Sequence, residues 1–380
     1  MKKPYNQTWI NNLHIQNLSK SWLKRNLLTQ KQFEKVTSEF PESFYKPGIF
    51  VKTGLFLFTL LAGCFFSGFI SLFFLENSTD KIFTVLSIVC SICYFFTLEY
   101  MIKDRKLFHS GIDNALLYMA AVAALIPVFL FFDHLKVWQY CLIILIVNSF
   151  LLARYADILI ALVSVGALYV MFANVIVATP QLKPFLPFCL MLISVIIYSL
   201  NRVNYGVYYT NCQTVIKIAA LVIFYLGGNY YVVREGNALL SDILTPIAPQ
   251  IPFSVLFYIL TTSIPVIYIY FGLKNKDRIL FVTGLLSTAF SVFTYRYYFD
   301  IIPMEWILVM AGSALIILVV FCIKYLKTPR FGISDKKDDS QNIANLEAML
   351  IAHQFGQTPA GDQLHFGGGD FGGGGAGNSY

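Results

Sequence analysis

The charged residues nearest to the long apolar stretches of this chain are the ones most able to do chemistry. Four of them lie close to the ends of such stretches: Glu99, Asp113, Arg154 and Asp157. An ionisable group within a bilayer is costly and therefore marks a functional position by default. Local structure also explains them: Glu99 precedes Lys103 by four residues, and Asp113 falls in the first turn of a predicted helix. We predict interfacial charges here, and the structural role is the interpretation we favour.

Deeper in the apolar stretches the polar groups are neutral. The candidate transport positions are amides, hydroxyls and two prolines: Pro127, Asn148, Asn174, Thr261, Thr262, Ser263 and Pro265. Such groups commonly form hydrogen bonds between helices, and that is the favoured interpretation. A proline inside a helix frees a carbonyl, which nearby hydroxyls or a ligand can satisfy. Because no charged residue falls at mid-depth, the sequence argues against proton or ion coupling through a buried acid.

The two prolines also hint at a repeat. Pro127 lies in the third predicted membrane segment and Pro265 in the eighth, at comparable depths. Segments five apart would correspond in a five-plus-five inverted repeat, the arrangement of many transporters. We find no repeat at the level of individual residues.

Motifs of soluble enzymes are absent from the sequence. It has no glycine-rich phosphate loop with its Lys and Ser/Thr, no His-Glu-x-x-His and no Gly-x-Ser-x-Gly. The five histidines are scattered in loops and tails without the spacing of metal ligands, and the seven cysteines look like small buried hydrophobes. We predict no catalytic residue, no metal, no cofactor and no nucleic-acid partner; a membrane-embedded transferase is the remaining enzyme alternative.

Ten apolar segments must position the candidate residues. The chain is 57% hydrophobic and 13% charged, whereas soluble domains are nearer a quarter charged. Runs of 18 or more apolar residues read as membrane-spanning helices. The sequence therefore predicts an all-α, polytopic transmembrane helical bundle with spans at about 49–75, 82–102, 112–132, 135–153, 155–178, 183–200, 213–232, 252–273, 279–298 and 303–326.

The basic residues predict the orientation of these spans. With the N-terminus inside, 23 of the 28 Lys and Arg residues fall on the inner side and 5 on the outer side. Cytoplasmic loops carry such an excess, so we expect both termini in the cytosol of a bacterium and the bundle in its inner membrane. The longest outer loop, residues 233–252, could hold a short interfacial helix over residues 239–244.

Two appendages flank the spans. Residues 1–48 predict a cytosolic helical module with helices over about 9–26 and 30–40, the second opened by a capping box at Thr29 and Gln32. Residues 327–355 predict a charged linker and a short amphipathic helix. Residues 356–380 form a Gly/Phe-rich tail that cannot bury enough surface to offset chain entropy, so we expect it to be disordered.

The N-terminal part of the chain resembles a known group. The pattern Trp22-Leu-x-x-x-Leu27-Leu28-Thr29-x-x-Gln32, followed by a proline-bounded linker and a run of spans, is similar to bacterial predicted membrane proteins grouped under domain of unknown function 2157. Leu28-Thr29 replaces the usual Ile-Ser and preserves the cap. The resemblance covers about the first third of the chain. It implies a location and an architecture, but no activity.

Two functions remain open at this point. The first is a carrier or conduit for a small neutral solute. The alternative is a non-transporting sensor or scaffold, in which the bundle anchors the N-terminal helices and the C-terminal tail for unknown protein partners. A polar cavity beside Pro127 and Pro265 would favour the carrier.

Overall fold

The computed structural model describes residues 3–24, 27–74, 79–132, 134–203, 205–243 and 248–299, with a few helical positions between 309 and 324. Within these residues the chain forms helices without strands, apart from one isolated bridge between Tyr45 and Leu107. In chain order the helices are α1 (Gln7–Lys24), α2 (Gln30–Glu39), α3 (Ile49–Leu72), α4 (Asp80–Asp104), α5 (Ile112–Phe131), α6 (Val137–Tyr155), α7 (Ile158–Val177), α8 (Leu186–Leu200), α9 (Thr210–Gly228), α10 (Tyr230–Leu239), α11 (Ser254–Lys274) and α12 (Arg278–Tyr298). The predicted all-α class is confirmed.

Nine helical segments in the described residues are long and apolar enough to span a membrane, and they confirm the first nine predicted spans. Their outer surfaces carry large apolar side chains: Phe65, Phe96 and Phe58 are 76%, 74% and 71% exposed. Such a surface is stable in lipid but would aggregate in water. The chain is therefore a multi-pass membrane protein. The tenth predicted span, the linker and the Gly/Phe-rich tail lie largely or wholly outside the described residues.

Local sequence signals explain several helix ends. The capping box is confirmed: Gln32 N–H donates to Thr29 Oγ1, and Thr29 N–H donates to Gln32 Oε1. A tight turn follows at the end of α6. Ala156 adopts a left-handed conformation with φ of 50°, and Asp157 caps α7 by accepting from the backbone N–H groups of residues 159 and 160.

The spanning helices pack mainly as hairpins. α4 with α5, α6 with α7, α8 with α9, and α11 with α12 form the closest pairs, while α3 lies against α5. α7 also contacts α8 and α9, so the α6–α7 hairpin packs against the α8–α9 hairpin. Because successive spans alternate in direction, the N-terminal ends of α3, α5, α7 and α9 meet at one end of the bundle. We call this the module end.

The N-terminal module, residues 3–48, lies on the module end. Phe44 stacks on Phe108 in the α4–α5 loop with ring centroids 4.6 Å apart, and Tyr45 N–H donates to Lys106 O at 3.0 Å. Tyr5 and Ile10 are 5% and 6% exposed and belong to the same apolar cluster as α4 and α5. Aromatic packing and buried surface therefore hold the module against the bundle.

The region after α9 differs from expectation. α9 ends at Gly228, and a separate helix, α10, begins at Tyr230. The helix in this stretch therefore precedes the predicted segment 239–244. The sequence pattern misplaced it because Val232 and Val233 continue the apolar run of α9. The break itself depends on Asn229, whose side chain caps α10 by accepting from Val232 N–H.

Candidate functional site

The structure does not bring the two candidate prolines together at one cavity. Pro127 lies in α5 and Pro265 in α11. The described cavities beside α11 have no lining residue from α5. None of these cavities is therefore a polar chamber shared by the two prolines.

The other deep candidates have separate surroundings. Thr261 is completely buried, donates to Phe257 O and accepts from the backbone N–H of Tyr230. Asn148 is buried in α6, whereas Asn174 is only partly buried in α7. Thr262 and Ser263 line a shallow apolar cavity between α11 and α12. Of these residues, only Thr261 takes part in an extensive buried hydrogen-bond network, at the α9–α10 break.

The four interfacial charges, in contrast, all lie at the module end. Glu99 Oε1 accepts from Arg154 Nε at 3.0 Å and Nη2 at 2.7 Å, and from Tyr155 Oη at 2.6 Å. The predicted partner Lys103 is 3.7 Å from the other carboxylate oxygen. The main partner of Glu99 is therefore Arg154 on the neighbouring hairpin, and the pair ties α4 to α6.

Asp113 is almost fully buried, with 1% of its surface exposed. Its carboxylate accepts from the backbone N–H groups of His109 and Ser110 at 2.7 and 2.8 Å, and from Ser110 Oγ at 3.0 Å. The Tyr5 hydroxyl, from the N-terminal module, donates the fourth bond at 2.9 Å. The helix dipole of α5 further stabilises the anion.

Asp157 lies beside this group and is 2% exposed. Besides capping α7, its carboxylate accepts from Asn114 Nδ2 at 2.7 Å and from the Tyr118 hydroxyl at 3.0 and 3.1 Å. Asn114 Nδ2 also lies 3.4 Å from His109 Nδ1. Asp113, His109, Asn114, Tyr118 and Asp157 thus form one connected polar cluster, which we call the aspartate cluster.

A cavity of about 580 Å³ adjoins the aspartate cluster. Four cluster residues line it: His109, Asn114, Tyr118 and Asp157. Lys52, Thr53 and Asn211 complete the polar walls, and the apolar walls come from Ile49, Phe56, Phe108 and Ile158. The lining of α3 runs from residue 49 to residue 56, so the cavity reaches about two helical turns, roughly 10 Å, into the bundle. This is a site near one membrane boundary, not at mid-depth.

Two features leave the cavity chemically incomplete. Asn114 Oδ1 is buried and has no hydrogen-bond partner in the described part of the chain. A buried acceptor without a donor destabilises the folded state by about 1–3 kcal/mol. Burial lowers the pKa of His109, although Asp113 and Asp157 oppose the shift; nearby Lys52 adds to it. His109 is therefore neutral at pH 7, and the arrangement is suited to binding a polar molecule by hydrogen bonds.

Comparisons with known proteins add no constraint on this site. No family model, no curated protein and no solved structure matches the chain. Among the described residues, no group of three or more His, Cys, Asp or Glu side chains is placed to hold a metal ion.

Sequence reasoning missed several members of the site. The missed residues come from three separate stretches of the chain: Tyr5, Lys52, and the segment that holds His109, Asn114 and Tyr118. One signal was available: Asn114 and Tyr118 are four residues apart at the start of α5, so they share a face of that helix. Nothing in the sequence indicated that this face meets Asp157.

Proposed function

We propose that this membrane protein is a receptor for a small polar solute, which binds in the cavity at the aspartate cluster and acts through the N-terminal module. The observation that carries the proposal is the bond from Tyr5 to Asp113. It joins the module to the polar cluster that borders the cavity. A solute that shifts the cluster therefore changes how firmly the module is held.

The cavity walls define the kind of solute that fits. The partnerless Asn114 Oδ1 needs a donor, such as a hydroxyl or an amine. The Lys52 ammonium offers donors to a carbonyl or hydroxyl oxygen. Because this ammonium and the Asp157 carboxylate line the same cavity, their charges balance, and a solute without net charge is favoured. Polyols, monosaccharides and zwitterionic amino acids meet these requirements.

Trp9 provides a direct readout of the proposal. Its ring packs edge-on against Phe44 with centroids 5.3 Å apart, and Lys106 Nζ lies 5.2 Å from it. In a variant that retains Trp9 as its only tryptophan, solute binding should shift the emission maximum. The purified protein would be titrated with a panel of neutral amino acids, polyols and monosaccharides. Asn114→Ala should abolish the response, whereas Ser263→Ala, at a different cavity, should leave it unchanged.

A second function, a carrier, is favoured by the interruption between α9 and α10. Transporters place solute sites at discontinuous helices. Asn229 at the break is fully buried, and its amide donates to Tyr225 Oη and Thr294 Oγ1, both at 2.9 Å. Uptake of the same solutes into proteoliposomes tests this function. Uptake that falls in Thr261→Val would favour the carrier, and binding to the detergent-purified protein without uptake would favour the receptor.

We further propose the location that the sequence indicates: a bacterial inner membrane with both termini in the cytosol. The charge distribution over the loops supports it, and the resemblance to proteins with domain of unknown function 2157 is consistent with it. Reporter fusions test the topology. A fusion at Asp80 should report the outside and one at Lys274 the cytosol, and the reverse pattern would invert the proposal.

A further inference from the structure

Arg234 is a buried cation at the bundle end opposite the N-terminal module. It lies in the middle of α10 and is 9% exposed. A buried charge is costly unless it is paired with an opposite charge. An arginine in this setting is therefore a candidate binding residue that the function proposed above does not use.

The guanidinium has three hydrogen bonds to described residues, and the groups that accept them are uncharged. Nε and Nη2 donate to Ala248 O at 2.9 and 2.5 Å, and Nη1 donates to Tyr230 Oη at 2.9 Å. Only three of its five N–H groups are used in this way. Among the described residues, no carboxylate lies within 4.0 Å of it. The adjacent acid, Glu235, accepts instead from Tyr298 Oη at 2.6 Å.

A cavity of about 450 Å³ opens beside the guanidinium. Arg234, Gln250, Tyr258, Tyr297, Tyr298 and Phe299 line it. The guanidinium carbon is 4.5 Å from the Tyr298 ring centroid, so the rings offset part of its charge. Gln250 Oε1 accepts from Tyr230 Oη, which leaves the amide nitrogen of Gln250 available as a donor.

We propose that this cavity binds a singly charged oxyanion on an apolar or aromatic body. The unused guanidinium N–H groups and the Gln250 amide bind the oxyanion, because arginine matches the planar geometry of such groups. The tyrosine faces pack against the body. The oxyanion belongs either to a free carboxylate or to the headgroup of an anionic lipid, since the cavity lies at an end of the membrane bundle.

Another cation at the same end serves as a matched comparison. Lys183 Nζ donates to Leu240 O and Ser241 Oγ at 2.8 and 2.9 Å, at the rim of a separate apolar cavity. It shares the charge and the bundle end with Arg234, but it has no part in the tyrosine-lined cavity. Lys183→Met therefore controls for a general loss of positive charge.

Benzoate and benzamide test the proposal on the unaltered protein. They share shape and ring, but only benzoate carries an oxyanion. Purified full-length protein in neutral detergent should bind benzoate in isothermal titration calorimetry and bind benzamide at least about tenfold more weakly, a difference of about 1.4 kcal/mol. Equal binding of the two compounds, or binding of neither, would overturn the proposal.

Variants then assign the binding to Arg234. Arg234→Lys keeps the charge but loses the fork of donors, and should weaken benzoate binding by about tenfold or more. Lys183→Met should bind as wild type. Gln250→Ala, at an exposed position, should fold normally and weaken binding, which guards against a folding defect in the arginine variant. Unchanged binding in both Arg234→Lys and Gln250→Ala would refute the assignment.

Lipid nanodiscs separate the two sources of the oxyanion. If phosphatidylglycerol in a phosphatidylcholine nanodisc competes with benzoate, the site takes a lipid headgroup. If benzoate binds equally in nanodiscs with and without phosphatidylglycerol, the site takes a free carboxylate. The receptor proposal is independent of this result, because the aspartate cluster and Arg234 lie at opposite ends of the bundle.

Discussion

The hydroxyl of Tyr5 donates a 2.9 Å hydrogen bond to Asp113, a residue 108 positions later in the chain. Burial and the nearby Asp113 carboxylate raise the pKa of the Tyr5 phenol well above its usual value. The phenol therefore stays protonated at neutral pH and remains a donor. This single contact connects the N-terminal module to the polar cluster at the start of α5, and it ties the proposed receptor function to a testable bond.

Tyr5→Phe should loosen the module without changing the spans. The substitution keeps the ring but removes one of the four donors to Asp113. Because hydrogen bonds to charged groups contribute about 1.5–3 kcal/mol, the melting temperature should fall. Trypsin should also cleave faster within the module, for example after Lys35, which is exposed in α2.

Tyr45→Phe is the matched control for this experiment. Tyr45 lies in the same module, is 47% exposed, and contacts the bundle through its backbone N–H. Its substitution should leave stability and cleavage nearly unchanged. Equal effects of the two substitutions would show that the hydroxyl of Tyr5 contributes nothing specific.

His109 predicts a loss of stability at mildly acidic pH. Burial lowers its pKa in the folded protein, whereas the unfolded chain has a value of about 6.5. Below pH 6.5 the unfolded state therefore binds a proton that the folded state does not. Stability rises with pH in this window and falls as the pH drops from 6.5 towards the folded pKa.

His109→Asn should flatten this pH dependence. Asparagine does not titrate and tolerates the positive φ of 48° at this position. Melting temperatures measured between pH 5 and 8 would compare it with wild type and with His14→Asn, at an exposed histidine. If the pH dependence of the melting temperature stays the same in His109→Asn but flattens in His14→Asn, His14 causes it and the prediction for His109 is wrong.

The sequence predicted the spans well because their cause is local. Each spanning helix must satisfy its own backbone hydrogen bonds in lipid, so length and apolarity suffice to identify it. The polar contacts at the module end, in contrast, join residues that are far apart in the sequence. Glu99 and Lys103 satisfy a spacing rule within one helix, yet the strongest contact of Glu99 is with Arg154, 55 residues away. Spacing along one helix cannot identify a partner on another.

The break after α9 shows the same limit. Thr261 was a candidate because it stands near a proline, but its observed role is to accept from Tyr230 N–H at the start of α10. Gly228 and the capping residue Asn229 are a local signal for a helix end, but the apolar run continues through Val232 and Val233 and conceals it. The further bonds to Thr261 and Thr294 come from α11 and α12, and only the assembled bundle supplies them.

Gly111→Ala should be strongly destabilising. Gly111 precedes α5 with φ of 103°, and an added Cβ would lie 2.3 Å from Lys52 O in α3. Strained backbone alone costs about 1–3 kcal/mol, and the contact with α3 would also have to open. We expect a loss of about 2 kcal/mol or more, measured by thermal unfolding in detergent.

Gly54→Ala tests whether the loss of stability expected for Gly111→Ala comes from the position of that glycine and not from replacing any glycine. Gly54 lies one half-turn from Lys52 in α3, and an added Cβ would meet no atom within 4 Å. Within a helix, alanine is favoured over glycine by roughly 0.5–1 kcal/mol. Gly54→Ala should therefore be neutral or slightly stabilising, and a large loss here would contradict the packing of α3 against α5.

The Glu99–Arg154 pair should show measurable coupling. Because both side chains are partly buried, the pair loses less to solvent screening than an exposed one. Glu99→Gln should lower the free energy of unfolding by about 1–3 kcal/mol. Lys103→Met should lower it by less than about 1 kcal/mol, since Lys103 is 68% exposed and 3.7 Å from Glu99.

Arg154 also lies over the Tyr155 ring at 5.6 Å, so Arg154→Met alone would combine the loss of the ion pair with the loss of this ring contact. A double-mutant cycle with Glu99→Gln isolates the pair, and we expect a coupling energy of about 1–2 kcal/mol. Additive losses would mean that the Glu99–Arg154 pair itself contributes nothing to holding α4 against α6.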